Sequence, residues 1–478
     1  MTLNTKRRIS LRASDFSLIL RGRQASLSAV LIFFLSLPPL YAGNFYPSGP
    51  AKKSVTIMLY LNGDNNLAPE VLYALDMVET VGSSDDINIL ALVDGRPGFH
   101  HGYGKSWDGA KFLYITRDAG IGEINSIVLQ DLGEQNLGAP EILEYFITEC
   151  LRYTAERYIF CTFTHGRGII DTQSFTAAGK HKSLAISSDE TDGAHMTLPE
   201  FRLAIQRALK GKKLDAMVFF SCLTGMVEIG YGLKDLTEYL IVSEDEIRIV
   251  NDPPGRFQIR GIKFEEPLKA IHADPALPLY NFGKITIDTF IEQYRRDVSL
   301  KDIHGRMYAG RYPAAMALIQ CSALDQLASY LNDFATYVIK KLQVSGPAVL
   351  LGDIQRSLSK TQRFSSFLNL EYYDLQDFLQ NLAVSTRDED LRQLCFRIDS
   401  FIKDKVIVYE KHTGDCASNG LSIFLSNYLI PENIFQTHQQ LYRISKFSQE
   451  TFWDEMINEV RVRSLASAKT QSGQVCHR

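Results

Sequence analysis

A cysteine and a histidine, each closing an apolar run, carry the most legible chemistry in this chain. Ala216-Met217-Val218-Phe219-Phe220 leads into Ser221-Cys222-Leu223-Thr224-Gly225, and Tyr158-Ile159-Phe160-Cys161-Thr162-Phe163-Thr164 leads into His165-Gly166. Short runs rich in β-branched and aromatic residues read as buried strands. A thiol and an imidazole then each sit at the carboxyl end of a strand, the edge where open α/β sheets bind ligands. That pairing is nucleophile plus base. To act, Cys222 needs a lowered thiolate pKa, a base and a stabilised oxyanion. The helix-like pattern Met226, Val227, Ile229, Gly230 and Leu233 follows it, so a helix N-terminus is expected to favour the thiolate. The backbone N–H groups of Gly166 and Cys222 are the candidate oxyanion donors. Alone, Cys222 reads as a buried structural thiol and His165 as a turn histidine. Together, 57 residues apart and each after a strand, they read as a site.

The elements that position them alternate. Strand-like runs fall at Val55–Leu61, Ile87–Val93, Phe112–Ile115, Tyr158–Thr164, Ala216–Phe220 and Tyr239–Ser243. Helical spacing joins Leu67, Val71, Leu72, Leu75 and Val78, after a start signal at Asn65-Asn66. It also joins Ile142, Leu143, Phe146, Ile147 and Leu151, and it covers Thr197–Leu209. That last helix opens Thr197-x-x-Glu200, a capping-box pattern. Near-continuous apolar strands separated by helices predict an α/β fold with a mostly parallel sheet covered on both faces. After about residue 290 longer helical patterns take over, at Leu324–Leu342 and Tyr373–Val384, and a late run at Gly420–Leu425 is a candidate extra strand.

The chain has 478 residues, 45% apolar and 22% charged, which is the composition of a globular protein. A net charge of −4 offers no basic field for nucleic acid. Residues 1–24 carry six Arg and Lys against Asp15, and Leu27–Leu37 is an apolar core followed by Pro38-Pro39-Leu40-Tyr41-Ala42-Gly43. This predicts a signal peptide over 1–43 and export to the periplasm or medium. The core is shorter than the roughly 20 residues of a spanning helix, so no membrane partner is expected once it is cut. Seven scattered cysteines form no C-x-x-C pair, so neither a zinc site nor a dense disulfide framework is indicated.

Strand-His-Gly followed by strand-Ser-Cys resembles the caspase, legumain and gingipain group of cysteine peptidases, and in particular the clostripain family. Five segments carry the resemblance: Leu61-Asn62-Gly63-Asp64-Asn65-Asn66-Leu67, Thr164-His165-Gly166-Arg167-Gly168, Phe220 to Glu228, Tyr373-Asp374-Leu375-Gln376-Asp377-Phe378, and Asn419-Gly420-Leu421-Ser422-Ile423-Phe424. It implies a caspase-like peptidase domain over 50–290 and a helix-rich extension over 291–465 packed on it. The polar tail, 466–478, is expected to be flexible. It also implies a secreted endopeptidase with a Cys222–His165 dyad, acting on proteins or peptides and cutting after Arg or Lys. Maturation by a cut between His165 and Cys222 is implied too, and Lys180 and Lys182 lie in that interval. Some family members depend on calcium. This chain shows no calcium ligand motif, and no cofactor or metal is expected.

One position departs from the family. Members commonly carry Asp two residues before the cysteine, where it receives a basic side chain, and this chain has Phe220. Glu244 and Asp245, with Glu246, are the acids expected to replace it. Phe220 and Ser221 complete the expected substrate-binding set. The departure keeps open a catalytically silent exported binding protein; transpeptidation, with an amine replacing water, is a third reading. Other near-motifs fail. Gly102-Tyr103-Gly104-Lys105-Ser106 lacks the first P-loop glycine. Asn62, Asp64 and Asn66 start like a calcium loop whose twelfth position is Tyr73 instead of Glu. His100, His101 and His181 make no ligand spacing, and Asp189-Glu190-Thr191-Asp192 reads as a solvated acidic loop.

Overall fold

Alternation of apolar side chains across each central strand builds this molecule in layers. The computed structural model describes residues 52–96, 107, 109–169, 187–252, 256–301, 307–344, 348–364, 372–414, 416–425 and 430–475. The expected leader and the Lys180–Lys182 segment lie outside them. The strands are β1 (Lys53–Gly63), β2 (Ile87–Gly95), β3 (Ala110–Tyr114), β4 (Ile127–Gly133), β5 (Ala155–Phe163), β6 (Ser187–Asp189), β7 (Ala194–Met196), β8 (Leu214–Phe220) and β9 (Thr237–Val242). They continue with β10 (Val250–Asp252), β11 (Arg256–Ile259), β12 (Val298–Lys301), β13 (Met307–Gly310), β14 (Ala315–Gln320), β15 (Arg363–Phe364), β16 (Tyr372–Asp374), β17 (Ile407–His412) and β18 (Ser422–Phe424).

Nine of them form one sheet, in the order β17-β14-β9-β8-β5-β1-β2-β3-β4. The five central strands run parallel. The flanking pairs, β3-β4 on one side and β14-β17 on the other, are antiparallel. Met58, Tyr60, Met217 and Phe219 face one apolar core, while Ile57, Leu59, Val218 and Phe220 face the other. Both faces of the central strands are therefore buried, as parallel strands require. The predicted capping box is present: Thr197 accepts from the Glu200 N–H, and the Glu200 carboxylate accepts from the Thr197 N–H at 2.9 Å.

From β1 the chain crosses to β2 on one side, and from β5 it crosses to β8 on the other. The carboxyl ends of β1 and β5 are thus the switch point of the sheet, where a crevice opens. The loop 64–67 and the stretch 164–169 meet there.

Residues after 290 supply the expected long helices, Leu324–Val344 and Leu375–Ser385, and also two strands of the central sheet, β14 and β17. The extension and the peptidase region therefore share one sheet across residue 290. Gly420–Leu425 contributes β18, which pairs with β16 in a separate three-stranded sheet and touches Met226 through a bridge at Ser422. The helix Trp453–Val475 continues into the stretch expected to be a flexible tail. No helix among the described residues is long and apolar enough to cross a membrane.

Candidate active site

The parallel register of β5 and β8 runs from Ile159 opposite Ala216 to Phe163 opposite Phe220. His165 and Cys222 each lie two residues beyond the last pair of that register. Gly166 makes the approach closer. A Cβ there would collide with the Cys222 carbonyl oxygen and lie 2.9 Å from its amide nitrogen. Only glycine lets these two backbones touch.

Cys222 sits at the start of a tightly held turn. Leu223 takes φ +58°, a left-handed conformation that costs a non-glycine residue about 1–2 kcal/mol. The turn is held from outside. The Leu223 N–H donates to the Asp245 carbonyl at 3.2 Å, the Gly225 N–H to the Ser243 carbonyl at 2.7 Å, and the Ser422 N–H to the Gly225 carbonyl at 2.8 Å. The Thr224 hydroxyl donates to the Ser221 carbonyl at 3.1 Å. The expected thiolate-favouring helix is displaced. Val227–Leu233 is seven residues long and begins beyond this turn. Burial pushes the Cys222 thiol up to about 11, with Glu246 and Asp245 adding to the rise. The Ile247 N–H, donating to Sγ at 3.2 Å, and Arg248 pull the other way without reversing it.

His165 is half-buried, and its Nε2 lies 2.6 Å from Asn66 Oδ1. With a carbonyl-type acceptor there, Nε2 carries the proton and Nδ1 keeps its lone pair. Burial lowers the imidazole to about 4, helped by the Arg167 charge, so the ring is neutral near pH 7. The sequence places Asn66 in a helix start, in a family segment and in a failed calcium-loop pattern, but not beside His165. Asn66 follows β1 at the switch point, and that position was the signal available.

The other expected site residues separate. Phe220 is 3% exposed and stacks edge-on against Phe264 at 5.8 Å, facing the core beneath the sheet. Ser221 is buried, and its hydroxyl has no hydrogen-bond partner. Glu244 is buried as well. It accepts from the Ser418 hydroxyl and from the Gly420 N–H at 2.9 Å, so it braces the 416–425 segment instead of facing the cleft. Burial and the neighbouring Asp374 push its carboxyl well above the usual range. Asp245 is half-buried beside Cys222. Its carboxylate accepts from the Glu246 N–H at 2.7 Å, and burial raises its pKa.

A group of acids meets on the other side of the switch point. Asp64, Asp94 and Asp189 are fully buried, and one carboxylate oxygen from each lies within 4.8 Å of the others. The solvated reading of residues 189–192 thus holds for Glu190, Thr191 and Asp192 but fails for Asp189. The β6-β7 hairpin turns it inward while the exposed Glu190 pairs with Arg96 at 2.8 Å.

These features can be set beside known proteins. The model of the Clostripain family matches residues 59–459. Clostripain of Hathewaya histolytica is 27% identical over 449 residues, covering 84% of this chain and 80% of that protein. A secreted C11 cysteine protease from Bacteroides thetaiotaomicron, solved with an irreversible peptide inhibitor, superposes with a TM-score of 0.59 at 17% identity. The match covers 84% of this chain and 99% of that one. An inactive zymogen C11 protease from Parabacteroides distasonis superposes with a TM-score of 0.54 at 16% identity, with the same coverage. The match to the family model over most of the chain shows that the chain belongs to the clostripain family of cysteine peptidases.

Proposed function

We propose that this cysteine endopeptidase is exported, matures by a cut between His165 and Cys222, and hydrolyses peptide bonds with those two residues, preferring Arg or Lys before the cut. The observation that carries the reading is the backbone of Gly166 lying against Cys222 at the ends of two adjacent parallel strands. In the reaction the Cys222 sulfur attacks the scissile carbonyl carbon while His165 Nδ1 takes the thiol proton. The Gly166 and Cys222 N–H groups receive the oxyanion. As the C–N bond breaks, His165 delivers that proton to the leaving amine. Water then attacks the thioester, giving one proton to His165, and the acid leaves as the thiol is restored.

In the uncut chain the proton rests on sulfur, because the thiol stands near 11 and the imidazole near 4. A protonated thiol beside a neutral imidazole fits a precursor held inactive; the Parabacteroides relative is described as an inactive zymogen. With Phe220 turned into the core and Glu244 engaged, Asp245 is the acid best suited to a basic substrate side chain. Export rests on the basic and apolar pattern of residues 1–43, and the Bacteroides relative is described as secreted.

Irreversible thiol-directed peptide probes ending in Arg, Lys or a neutral residue test the reading. The basic probes are expected to mark the cut wild type and not Cys222→Ala, and N-terminal sequencing to find a second chain starting after Lys180 or Lys182. Equal marking by the neutral probe removes the basic preference. No marking of folded, cut protein favours an exported binding protein.

A further inference from the structure

We propose that Arg248 is a specificity-determining residue: its guanidinium rests against Glu246 and beside Asp245, where the basic side chain of a substrate enters, so that substrate and Arg248 compete for the same acids. This rests on the reading of Asp245 as the acid that receives that side chain. Arg248 lies between β9 and β10, in the segment that runs past the nucleophile. Its main chain is fixed on both sides. The Ile247 N–H, one residue earlier, donates to Cys222 Sγ at 3.2 Å, and the Arg248 carbonyl accepts from the hydroxyl of the buried Tyr294 at 2.8 Å. The Asp245 carbonyl, three residues before, holds the Leu223 N–H at 3.2 Å. The side chains of Asp245, Glu246 and Arg248 therefore start from a rigid backbone that touches the cysteine turn.

The contacts of the guanidinium are those of a guest. Its Nη2 lies 2.9 Å from Glu246 Oε2, and its plane sits over the Tyr312 ring, 5.6 Å from the centre. The Arg248 side chain is 46% exposed and that of Glu246 25%. An ion pair so open to water contributes little, because solvent screens both charges and two long side chains must be held in one geometry. Displacing Arg248 is therefore cheap. Burial raises both the Cys222 thiol and the Asp245 carboxyl, and the Arg248 charge pulls each back. One resident cation thus acts on the nucleophile and on the acids beside it.

A substrate Arg or Lys side chain makes the same charge-assisted contacts with carboxylates that Arg248 makes. Two cations cannot share the two acids without repelling each other. Binding a basic side chain therefore turns Arg248 out toward solvent, and the cleft loses the Glu246 pair as it gains the substrate. A neutral side chain gains nothing from the acids and leaves that pair in place. Arg248 in this way narrows the gap between basic and neutral substrates. Its removal widens that gap, the reverse of what the loss of an ordinary substrate contact does.

Steady-state kinetics on full-length, cut protein test this, with peptides carrying Arg, Lys or a neutral residue before the cut. Arg248→Gln should lower KM for the basic peptides by about two- to fivefold, the scale of an exposed ion pair, and leave KM for the neutral peptide unchanged. Arg248→Lys, which keeps the charge, should stay at the wild-type values. A residue that only shaped the loop would instead raise KM for every peptide when replaced. Benzamidine, a cation without a scissile bond, gives a second readout that needs no turnover: it should protect Cys222 from iodoacetamide at lower concentration in Arg248→Gln than in wild type. The pH at which iodoacetamide labels Cys222 should rise in the same variant, since a positive charge beside the thiolate is gone. A basic preference in wild type with KM unchanged or raised in Arg248→Gln, or equal protection by benzamidine, overturns this role of Arg248 alone. Equal turnover of basic and neutral peptides by wild type overturns it together with the reading of Asp245.

Discussion

The proton on Cys222 and the lone pair on His165 are set by different neighbours, so they can be perturbed separately. Asn66 is exposed, and its side-chain amide holds His165 Nε2, making it a positioning residue. Asn66→Ala should leave the fold intact and lower kcat by about 10–100-fold with little change in KM, the scale seen when a ring-orienting partner is removed. Asn66→Asp, which keeps an acceptor at that point, should recover part of the loss and move the acid limb of the pH profile upward as the new charge stabilises the imidazolium. Steady-state kinetics on the two variants check both outcomes, and equal loss of kcat with an unmoved profile would remove Asn66 from this role. At this scale the sequence was most informative about residue types. Cys222 and His165 were legible because each ends an apolar run. The direction of the thiol shift was not, because burial and the Asp245 and Glu246 charges come from a loop some twenty residues further on.

The elements around the site are held by loops instead of by the sheet alone. Asp374 shows how. It caps the helix Leu375–Ser385 through the Asp377 N–H at 2.9 Å and also accepts from the Asn419 side chain at 3.1 Å. Asp374→Ala removes a cap and strands buried donors, so it should cost about 2 kcal/mol, less what is regained by relieving its repulsion with Glu244. A urea midpoint that stays put would show that the segment 416–425 is held by other contacts. Central strands and capped helices were legible as elements, since Val55–Leu61, Ala216–Phe220 and Thr197–Leu209 carry clean periodicity and caps. β4, β14 and β17 were not. β4 is an exposed edge with four of seven positions open to solvent, so it lacks the alternation of a half-buried strand. β14 and β17 lie among long helical patterns, and only their pairing with β9 makes them part of the sheet. Asp94 and Asp189 stayed hidden for the same reason: they are 95 residues apart and meet only when the switch point forms.

Over the whole molecule, buried acids set the response to pH. Burial raises Glu228 to about 7 and Asp374 to about 6, and lifts Glu244 well above its usual value. The folded protein therefore keeps protons that the unfolded chain has released, so stability falls as pH rises through these values. His438 and His165, lowered to about 4, act in the opposite sense, losing stability as pH falls from about 6.5 to 4. The urea midpoint should accordingly be higher at pH 6 than at pH 8, and Glu228→Gln should flatten the difference; equal midpoints in wild type would contradict these assignments. The turn beneath Cys222 has a further consequence, in time instead of space. Its Gly225 carbonyl is anchored by Ser422, 197 residues later in the chain. A ribosome adding residues from the N-terminus has made His165 and Cys222 long before it makes that anchor. The emerging polypeptide thus carries both residues for some two hundred further additions before the turn beneath Cys222 has its full set of anchors.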